Sequence, residues 1–505
     1  MLNLIDKFLN GITMYRLVLY YMIALLLVGA ILSAFGLLPF SFPALIMSVF
    51  VITVVCWITN TIFAKVFKVP VNVESAYITA LILALIISPP VLFDRTGLWF
   101  LIWVSVWAMA SKYIFAVNRK HIFNPAALAV ALMAVTINQA ASWWVATMVM
   151  LPFVLVGGIL ITRKIHRFDL VLSFLAVATV TILFGANQNN LMSVLGKTVI
   201  QSPMLFLAFV MLTEPLTTPP TRSLRIMYGA LVGFLFSPFI HIGSVYSTPE
   251  LALLAGNIFA YLVSPKERLV LKLKEKIVYG KDICDFIFTP SPGIKFQAGQ
   301  YLEWTLGHKD PDSRGNRRYF TIASAPTEKE IHLGVKFYPE PSTFKQTLLK
   351  MKKGDRILAS QLAGDFVLPR NKNQKLVFIA GGIGITPYRS MIKNLLDTNE
   401  ARSIVLFYSN RALSEIAYKD VFDQAEQKFG MKTIYTLTDA NACPVDWKGC
   451  RGYIDANMIA QEVPDYKERT FYISGSNAMV VTFKKTLKEM GVARHNIRVD
   501  FFPGF

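Results

Sequence analysis

Apolar positions dominate the first 265 residues in long runs separated by short polar breaks. The runs fall at 14–36, 43–64, 76–93, 98–117, 123–137, 143–162, 168–185, 200–213, 226–243 and 248–264. A helix needs about 20 apolar residues to cross a hydrocarbon core of ~30 Å. The pattern therefore predicts an all-α polytopic membrane bundle of about ten transmembrane helices. Short or proline-broken runs, 123–137 and 200–213, predict half-helices lining an internal site. Basic residues recur in every second loop: Lys65 and Lys68, then Lys112, Arg119 and Lys120, then Arg163, Lys164 and Arg167. They assign those loops, and the N-terminus, to the cytoplasm. An even number of spans returns the chain there at Ser264-Pro265-Lys266-Glu267-Arg268. The first run lacks a small-x-small cleavage site and reads as an anchor, not a removable signal.

Near residue 268 the period changes. Alternating segments Arg268–Leu273, Gln300–Leu306, Ile331–Phe337 and Arg356–Leu362, broken by Gly, Pro and Asp, predict a small antiparallel β-barrel. From Lys375 the pattern becomes strand–helix repeats: Leu376–Ala380, Tyr388–Leu396, Ser403–Tyr408, Ala417–Lys428, Thr433–Leu437, Thr470–Ile473 and Ala478–Met490. That is the signature of a parallel α/β sheet. With the break near Pro369-Arg370-Asn371, three domains are expected: 1–265, 266–370 and 371–505.

Composition sharpens this division. The first 265 residues hold 14 of the 51 Lys+Arg and 6 of the 32 Asp+Glu, so the remainder has the charge density of a soluble domain. The net charge of +19 is shared by both halves and gathers on no single stripe, which argues against nucleic acid as a partner. A positive surface suits anionic lipid, nucleotides or acidic redox partners. Four cysteines (Cys56, Cys284, Cys443, Cys450) make neither a disulfide framework nor an iron–sulfur pattern, and no metal site is expected. Among six histidines only His241 lies deep in an apolar run, which leaves no stacked pairs for haem.

Two motifs carry the chemistry of the second half. Arg318-Tyr319-Phe320-Thr321, with Ser324, presents a guanidinium, aromatic faces and hydroxyls from one strand. Gly381-Gly382-Ile383-Gly384-Ile385-Thr386-Pro387 reads as a buried strand, a glycine turn and a helix start, with Thr386 as cap and Pro387 in the first turn. Together with Phe296–Tyr301, Trp447-Lys448-Gly449, Gly452, Tyr472-Ile473-Ser474-Gly475 and the terminal 500–505, these segments resemble ferredoxin–NADP⁺ reductase-like proteins. The resemblance implies an FAD-binding barrel and an NAD(P)-binding α/β domain. Arg318 would pair with the FAD pyrophosphate, where its planar fork is suited. Tyr319 would face the adenosine side, Phe320 would stack on the isoalloxazine and Thr321 would place a donor at flavin N5. Ser342 and Thr343 would open a helix over 344–351 whose free N–H groups suit phosphate, although Pro339-Glu340-Pro341 replaces the usual glycine. Gly381, Gly382, Gly384 and Gly475 would let the backbone approach NAD(P)H, and Phe505 would stack on the flavin and yield to nicotinamide. Ser474 stands where many relatives carry a cysteine. Nucleotide choice is read after strand 403–408: Arg411 can hold a 2′-phosphate, Glu415 can accept from a ribose diol, and both stay open.

In the first half, Lys112-Tyr113 and Asn118 through Ala127 resemble the D subunit of the Rnf complex and the B subunit of the sodium-pumping NADH:quinone reductase. Thr213-Glu214-Pro215-Leu216-Thr217-Thr218-Pro219-Pro220-Thr221 corresponds to their second landmark, and implies FMN held through a phosphoester at Thr221. Otherwise Thr221 or Ser223 caps the following helix. Arg222 and Arg225 either neutralise the FMN phosphate or orient the bundle. Asn124-Pro125 and Glu214-Pro215 look like equivalent positions of two inverted repeats, which would set them at opposite membrane faces; Arg222 and Arg225 argue for the other placement, and both stay open.

The expectation is a bacterial inner- or cell-membrane flavoprotein with a cytoplasmic reductase half. It would move electrons between NAD(P)H and a quinone or other acceptor, through FAD and a covalent FMN, in contact with the lipid bilayer and with other electron-transport subunits. The rivals are a redox-coupled ion pump and a transporter or channel regulated by its reductase. Glu74, Asp94 and Glu214, few and near span ends, argue weakly for pumping.

Overall fold

The computed structural model describes residues 5, 8–9, 11–67, 73–117, 120–185, 194, 196, 198, 200, 202–264, 269–291, 294–308, 311–312 and 315–501. Contacts divide the chain into two compact units, Met1–Lys266 and Glu267–Phe505.

The first unit is helical: α1 (Met14–Ala34), α2 (Phe42–Val66), α3 (Val73–Ile86), α4 (Arg95–Ile114), α5 (Pro125–Ile137), α6 (Leu151–Ile165), α7 (Phe168–Gly185), α8 (Arg222–Leu235) and α9 (Pro249–Val263). Among the described residues, α1, α2, α4 and α7 are long and apolar enough to cross a membrane, while Glu74–Ile86, α5 and α9 are shorter apolar helices. Helix starts follow the polar breaks. Ser41, Asp94, Asn124 and Thr248 each accept a capping bond from the first turn, three of them followed by proline there.

Three further apolar runs depart from a simple span. Run 143–162 is a 3₁₀ turn, Trp144–Ala146, followed by α6. Run 200–213 is a helical turn, Met204–Phe206, continued as a π-helix over Leu207–Met211. Run 226–243 stops at Leu235, because Pro238 cannot continue a helix and disfavours it in the residue before. Two-stranded hairpins interrupt the bundle, β1 (Ala116–Val117) with β2 (Lys120–His121), and β3 (His241–Ile242) with β4 (Val245–Tyr246). His241 therefore sits on an exposed hairpin and not deep in a span.

The second unit has two layers. Strands β5 (Leu269–Tyr279), β6 (Ile283–Ser291), β7 (Tyr301–Thr305), β8 (Arg317–Thr321), β9 (Ile331–Lys336) and β10 (Arg356–Ala363) form a six-stranded sheet in the order β8-β7-β10-β5-β6-β9. Every pairing is antiparallel. The chain leaving β8 reaches back to β9 through Ala323 N–H to the His332 carbonyl at 2.9 Å. Sequence alternation missed β6, because residues 283–288 are buried on both faces and so do not alternate. Helix α10 (Thr343–Lys350) packs Phe344 and Leu348 into this core.

Then follow β11 (Leu376–Gly381), α11 (Thr386–Asp397), β12 (Ile404–Asn410), α12 (Lys419–Phe429), β13 (Lys432–Leu437), β14 (Cys450–Arg451), α13 (Ala456–Glu462), β15 (Thr470–Gly475), α14 (Asn477–Glu489) and β16 (Ile497–Phe501). Their parallel sheet has the order β14-β13-β12-β11-β15-β16. Consecutive buried residues Leu376–Ala380 and Thr470–Ser474 mark β11 and β15 as central strands covered on both faces.

Candidate functional site

Strand β8 is held by β7, with Arg318 opposite Trp304, Tyr319 opposite Glu303, Phe320 opposite Leu302 and Thr321 opposite Tyr301. Alternation sends Arg318 inward and Tyr319 outward. Arg318 is 6% exposed; its Nη1 donates to the carbonyls of Arg317 (2.6 Å) and Gly315 (3.2 Å). Its guanidinium lies 5.2 Å from the centre of the Phe344 ring. The Tyr319 hydroxyl donates to Glu303 Oε2 at 2.7 Å. Phe320 is half-buried, its ring 6.1 Å from Phe344. Thr321 and Ser324 are buried, and Ser324 Oγ accepts from His332 N–H at 3.2 Å.

At the N-terminus of α10 the N–H groups of Thr343 and Lys345 already have side-chain acceptors. Ser342 caps it by accepting from Lys345 N–H at 3.4 Å, and Thr343 N–H donates to Asp312 Oδ2 at 3.1 Å. Thr343 Oγ1 lies 3.0 Å from both Asp312 N and His308 Nε2. The same Asp312 carboxylate stands 4.0 Å from Arg318 Nη2. A guanidinium and a helix N-terminus thus converge on one carboxylate, the arrangement that suits a phosphate anion. The donor set fits an FAD pyrophosphate, with Asp312 at the anionic position.

The glycine turn follows β11 directly. Gly382–Ile385 form a 3₁₀ turn, and α11 begins at Thr386 with Pro387 in its first turn. Thr386 is not the cap that the sequence suggested: its hydroxyl donates to the Ile383 carbonyl at 3.2 Å, because the 3₁₀ turn runs straight into the helix. Gly382 has φ 53° and open space around it, whereas a Cβ on Gly384 would meet the Ser474 carbonyl oxygen at 2.4 Å. Ser474 is buried in β15, and Gly381 and Gly475 both abut the Met479 thioether. These elements bring 381–387 and 474–475 to one edge of the parallel sheet.

Asp500 reaches the same edge, paired across β15–β16 with Ser474. It is 9% exposed, and burial pushes its carboxyl up to about 8. Asp500 belongs to the terminal segment 500–505. Alternation with Ile497 and Val499 would send Asp500 outward, whereas the structure exposes Val499 and buries Asp500. Phe505 lies outside the described residues. Arg411, beyond the end of β12, is exposed and 3.4 Å from Asp439. Glu415 is buried, and its Oε2 accepts from Lys336 Nζ at 2.7 Å.

In the first unit Thr221 holds the N-cap position of α8 without a side-chain capping bond. Arg222 is exposed, while Arg225 turns inward to Asp169 (2.7 Å) and the Pro220 carbonyl (3.1 Å). Asn124 and Glu214 are not at opposite faces. Asn124 Nδ2 donates to Glu214 Oε2 at 2.9 Å, and His121 Nε2 lies 3.2 Å from Glu214 Oε1. Asn257 Oδ1 accepts from Asn124 N–H (2.8 Å), and its Nδ2 donates to the Tyr228 hydroxyl (3.0 Å). His121, Asn257 and Tyr228 were missed, since nothing in their spacing tied three distant segments together.

Residues 378–485 match the family model of the oxidoreductase NAD-binding domain. Residues 145–268 match that of the NQR2, RnfD, RnfE family. The chain is 27% identical over 245 residues to a Bacillus cereus flavohemoprotein, covering 46% of this chain and 60% of that protein. A Candida albicans flavohemoprotein is 33% identical over 159 residues, 30% of this chain and 39% of that one. The chain thus spans less than two thirds of these curated relatives. A solved ferredoxin NADP⁺ reductase from Neisseria gonorrhoeae with bound FAD and NADP is 18% identical, covers 48% of this chain and all of that one, and has a TM-score of 0.41. Residues 378–485 thus have the character of an oxidoreductase NAD-binding domain, and they share one chain with a segment, 145–268, of the NQR2/RnfD/RnfE type.

Proposed function

We propose that the chain is a membrane-bound flavoprotein oxidoreductase that moves electrons between cytoplasmic NAD(P)H and an acceptor in or across the membrane. The observation that carries this reading is the convergence of Arg318 and the α10 N-terminus on one anionic position, in the same unit as a glycine turn packed against Ser474. In this reading 1–265 is a transmembrane flavin-binding domain, 266–370 binds FAD and 371–505 binds NAD(P). Arg318, Ser342 and Thr343 hold the pyrophosphate once Asp312 yields it. Tyr319 and Phe320 give the flavin its apolar faces, and Thr321 and Ser324 order its polar edge. Gly381, Gly382, Gly384, Thr386, Pro387 and Gly475 form the nucleotide turn, Ser474 and Phe505 border the nicotinamide, and Arg411 reads the ribose. FAD, when bound, supplies the exchange between a two-electron nicotinamide donor and one-electron carriers. The remaining work of the site is positioning and exclusion of water.

Thr221, whose hydroxyl makes no capping bond, carries a covalent FMN in this scheme, and a quinone or partner subunit receives the electrons. A second reading, a redox-coupled ion pump in a bundle of about ten helices, draws on the half-buried Glu214 and its contacts with His121 and Asn124. Anaerobic titration of the full chain with NADH and with NADPH, followed at flavin wavelengths, tests the first reading. Bleaching by either supports it; a bound flavin that neither nucleotide reduces defeats it. Flavin fluorescence that survives denaturation and disappears in Thr221→Ala supports the covalent FMN, and its absence from the wild type removes it.

A further inference from the structure

The glycine turn and the flavin strand are joined by a buried clamp. Arg389, in the first turn of α11, is 6% exposed. Its Nη2 donates to Glu328 Oε1 at 2.9 Å, and its Nη1 donates to Glu328 Oε2 and to the Ala323 carbonyl at 3.2 Å. The next residue, Ser390, donates to the Ser324 carbonyl at 2.6 Å. At the far end of α11, Asp397 accepts from the Thr327 hydroxyl at 2.6 Å. The helix that continues the glycine turn is therefore stitched along its length to 323–328, the segment leaving β8. From the other side β9 abuts the turn itself. A Cβ on Gly334 would lie 2.7 Å from Thr386 Cγ2 and 3.0 Å from Ile383 Cδ1.

We infer that Arg389, through Glu328, is a positioning residue for transfer between nicotinamide and flavin, fixing the separation of the 381–387 turn and strand β8. The inference rests on the reading of those two elements as nucleotide turn and flavin strand. Reacting atoms must stand about 3–3.5 Å apart, and a displacement near 1 Å costs on the order of 100-fold in rate. A two-pronged guanidinium–carboxylate contact sets direction as well as distance, which a lysine cannot reproduce.

The test uses the full chain in detergent as wild type, Arg389→Met, Arg389→Lys, Glu328→Gln and Gly334→Ala. Stopped-flow anaerobic reduction by NADH and NADPH is read beside amide hydrogen exchange of the flavin-free protein. Arg389→Met and Glu328→Gln are expected to slow flavin reduction about 10–100-fold, with Arg389→Lys between them and wild type. The half-saturating nucleotide concentration should stay within about threefold, the mark of lost positioning and not of lost binding. Exchange should quicken at amides 323–328 and 381–390. An unchanged reduction rate with FAD retained, a loss confined to half-saturation, or unchanged exchange overturns the inference. If Arg389→Met does not fold, Glu328→Gln and Arg389→Lys carry the same comparison. A wild-type flavin that neither nucleotide reduces defeats the underlying reading instead, and the flavin-free exchange still decides the clamp.

Discussion

Gly384→Ala probes the nucleotide turn where it has least room. The added Cβ would fall 2.4 Å from the Ser474 carbonyl oxygen, 2.7 Å from its carbon and 2.8 Å from Gly475 Cα. All three are backbone atoms of β15, which is pinned between β11 and β16, so the turn must move and not the strand. Overpacking of this kind costs about 1–3 kcal/mol of stability. A turn pushed off β15 also misdirects its amides. Losing one charge-assisted bond to phosphate costs about 1.5–3 kcal/mol, or on the order of 10–100-fold in Kd. Gly382→Ala isolates the other cost: with φ 53° and nothing within 4 Å it strains only the backbone, by about 1–2 kcal/mol, and leaves β15 alone. Kd for NADH and NADPH is read from the flavin difference spectrum, and melting temperature alongside. Gly384→Ala should lose about 10–100-fold in nucleotide affinity while retaining FAD. A Gly384→Ala protein that binds nucleotide as tightly as wild type refutes the argument, since the turn would then not depend on its seat against β15.

Two further outcomes follow from buried charge. Asp500, lifted to about 8, keeps its proton in the folded chain at neutral pH, whereas an unfolded aspartate releases it above about 4. Its favourable contribution is therefore full below about 4 and lost as pH rises through about 8. Wild-type stability should fall relative to Asp500→Asn by about 1.4 kcal/mol per pH unit across that window. Pulse proteolysis in urea at several pH values reads this, and parallel pH dependences count against it. Arg318→Ala removes a buried guanidinium from the anionic position and should lower the flavin-to-protein absorbance ratio, with FAD affinity reduced on the order of 10–100-fold. Stoichiometric FAD retained through gel filtration would exclude that role.

Where local pattern and tertiary setting agree, the sequence was read closely. The β11 turn, α11, β12 and β15 lie within a few residues of expectation because a buried parallel strand and an amphipathic helix each announce themselves over six or more positions. What escaped has a physical cause in each case. Strand β6 is buried on both faces over 283–288, and α13 and β14 are too short to show a period. At the site, Arg318 and the glycines were visible as residue types demanded by phosphate. The Arg389–Glu328 clamp was not, because a charged residue in a helix reads as solvent-facing until the partner 61 positions earlier is known to be beside it. Asp312 at the α10 N-terminus was hidden for the same reason: it caps a helix 31 positions later.

The meeting of Asn124 with Glu214 was available from length and went unread. Helix α5 has 13 residues. At 1.5 Å per residue it reaches ~20 Å, short of a core of ~30 Å. One of its ends must then lie within the apolar layer, where an unsatisfied N–H costs several kcal/mol and lipid offers no acceptor. The end that begins with Pro125 solves this internally. Asn124 caps Ala127 N–H, Asn257 accepts from Asn124 N–H, and Glu214 accepts from the Asn124 amide. Two proline-marked breaks distant in sequence thus pool their polar groups. A full crossing would have required α5 to be about seven residues longer.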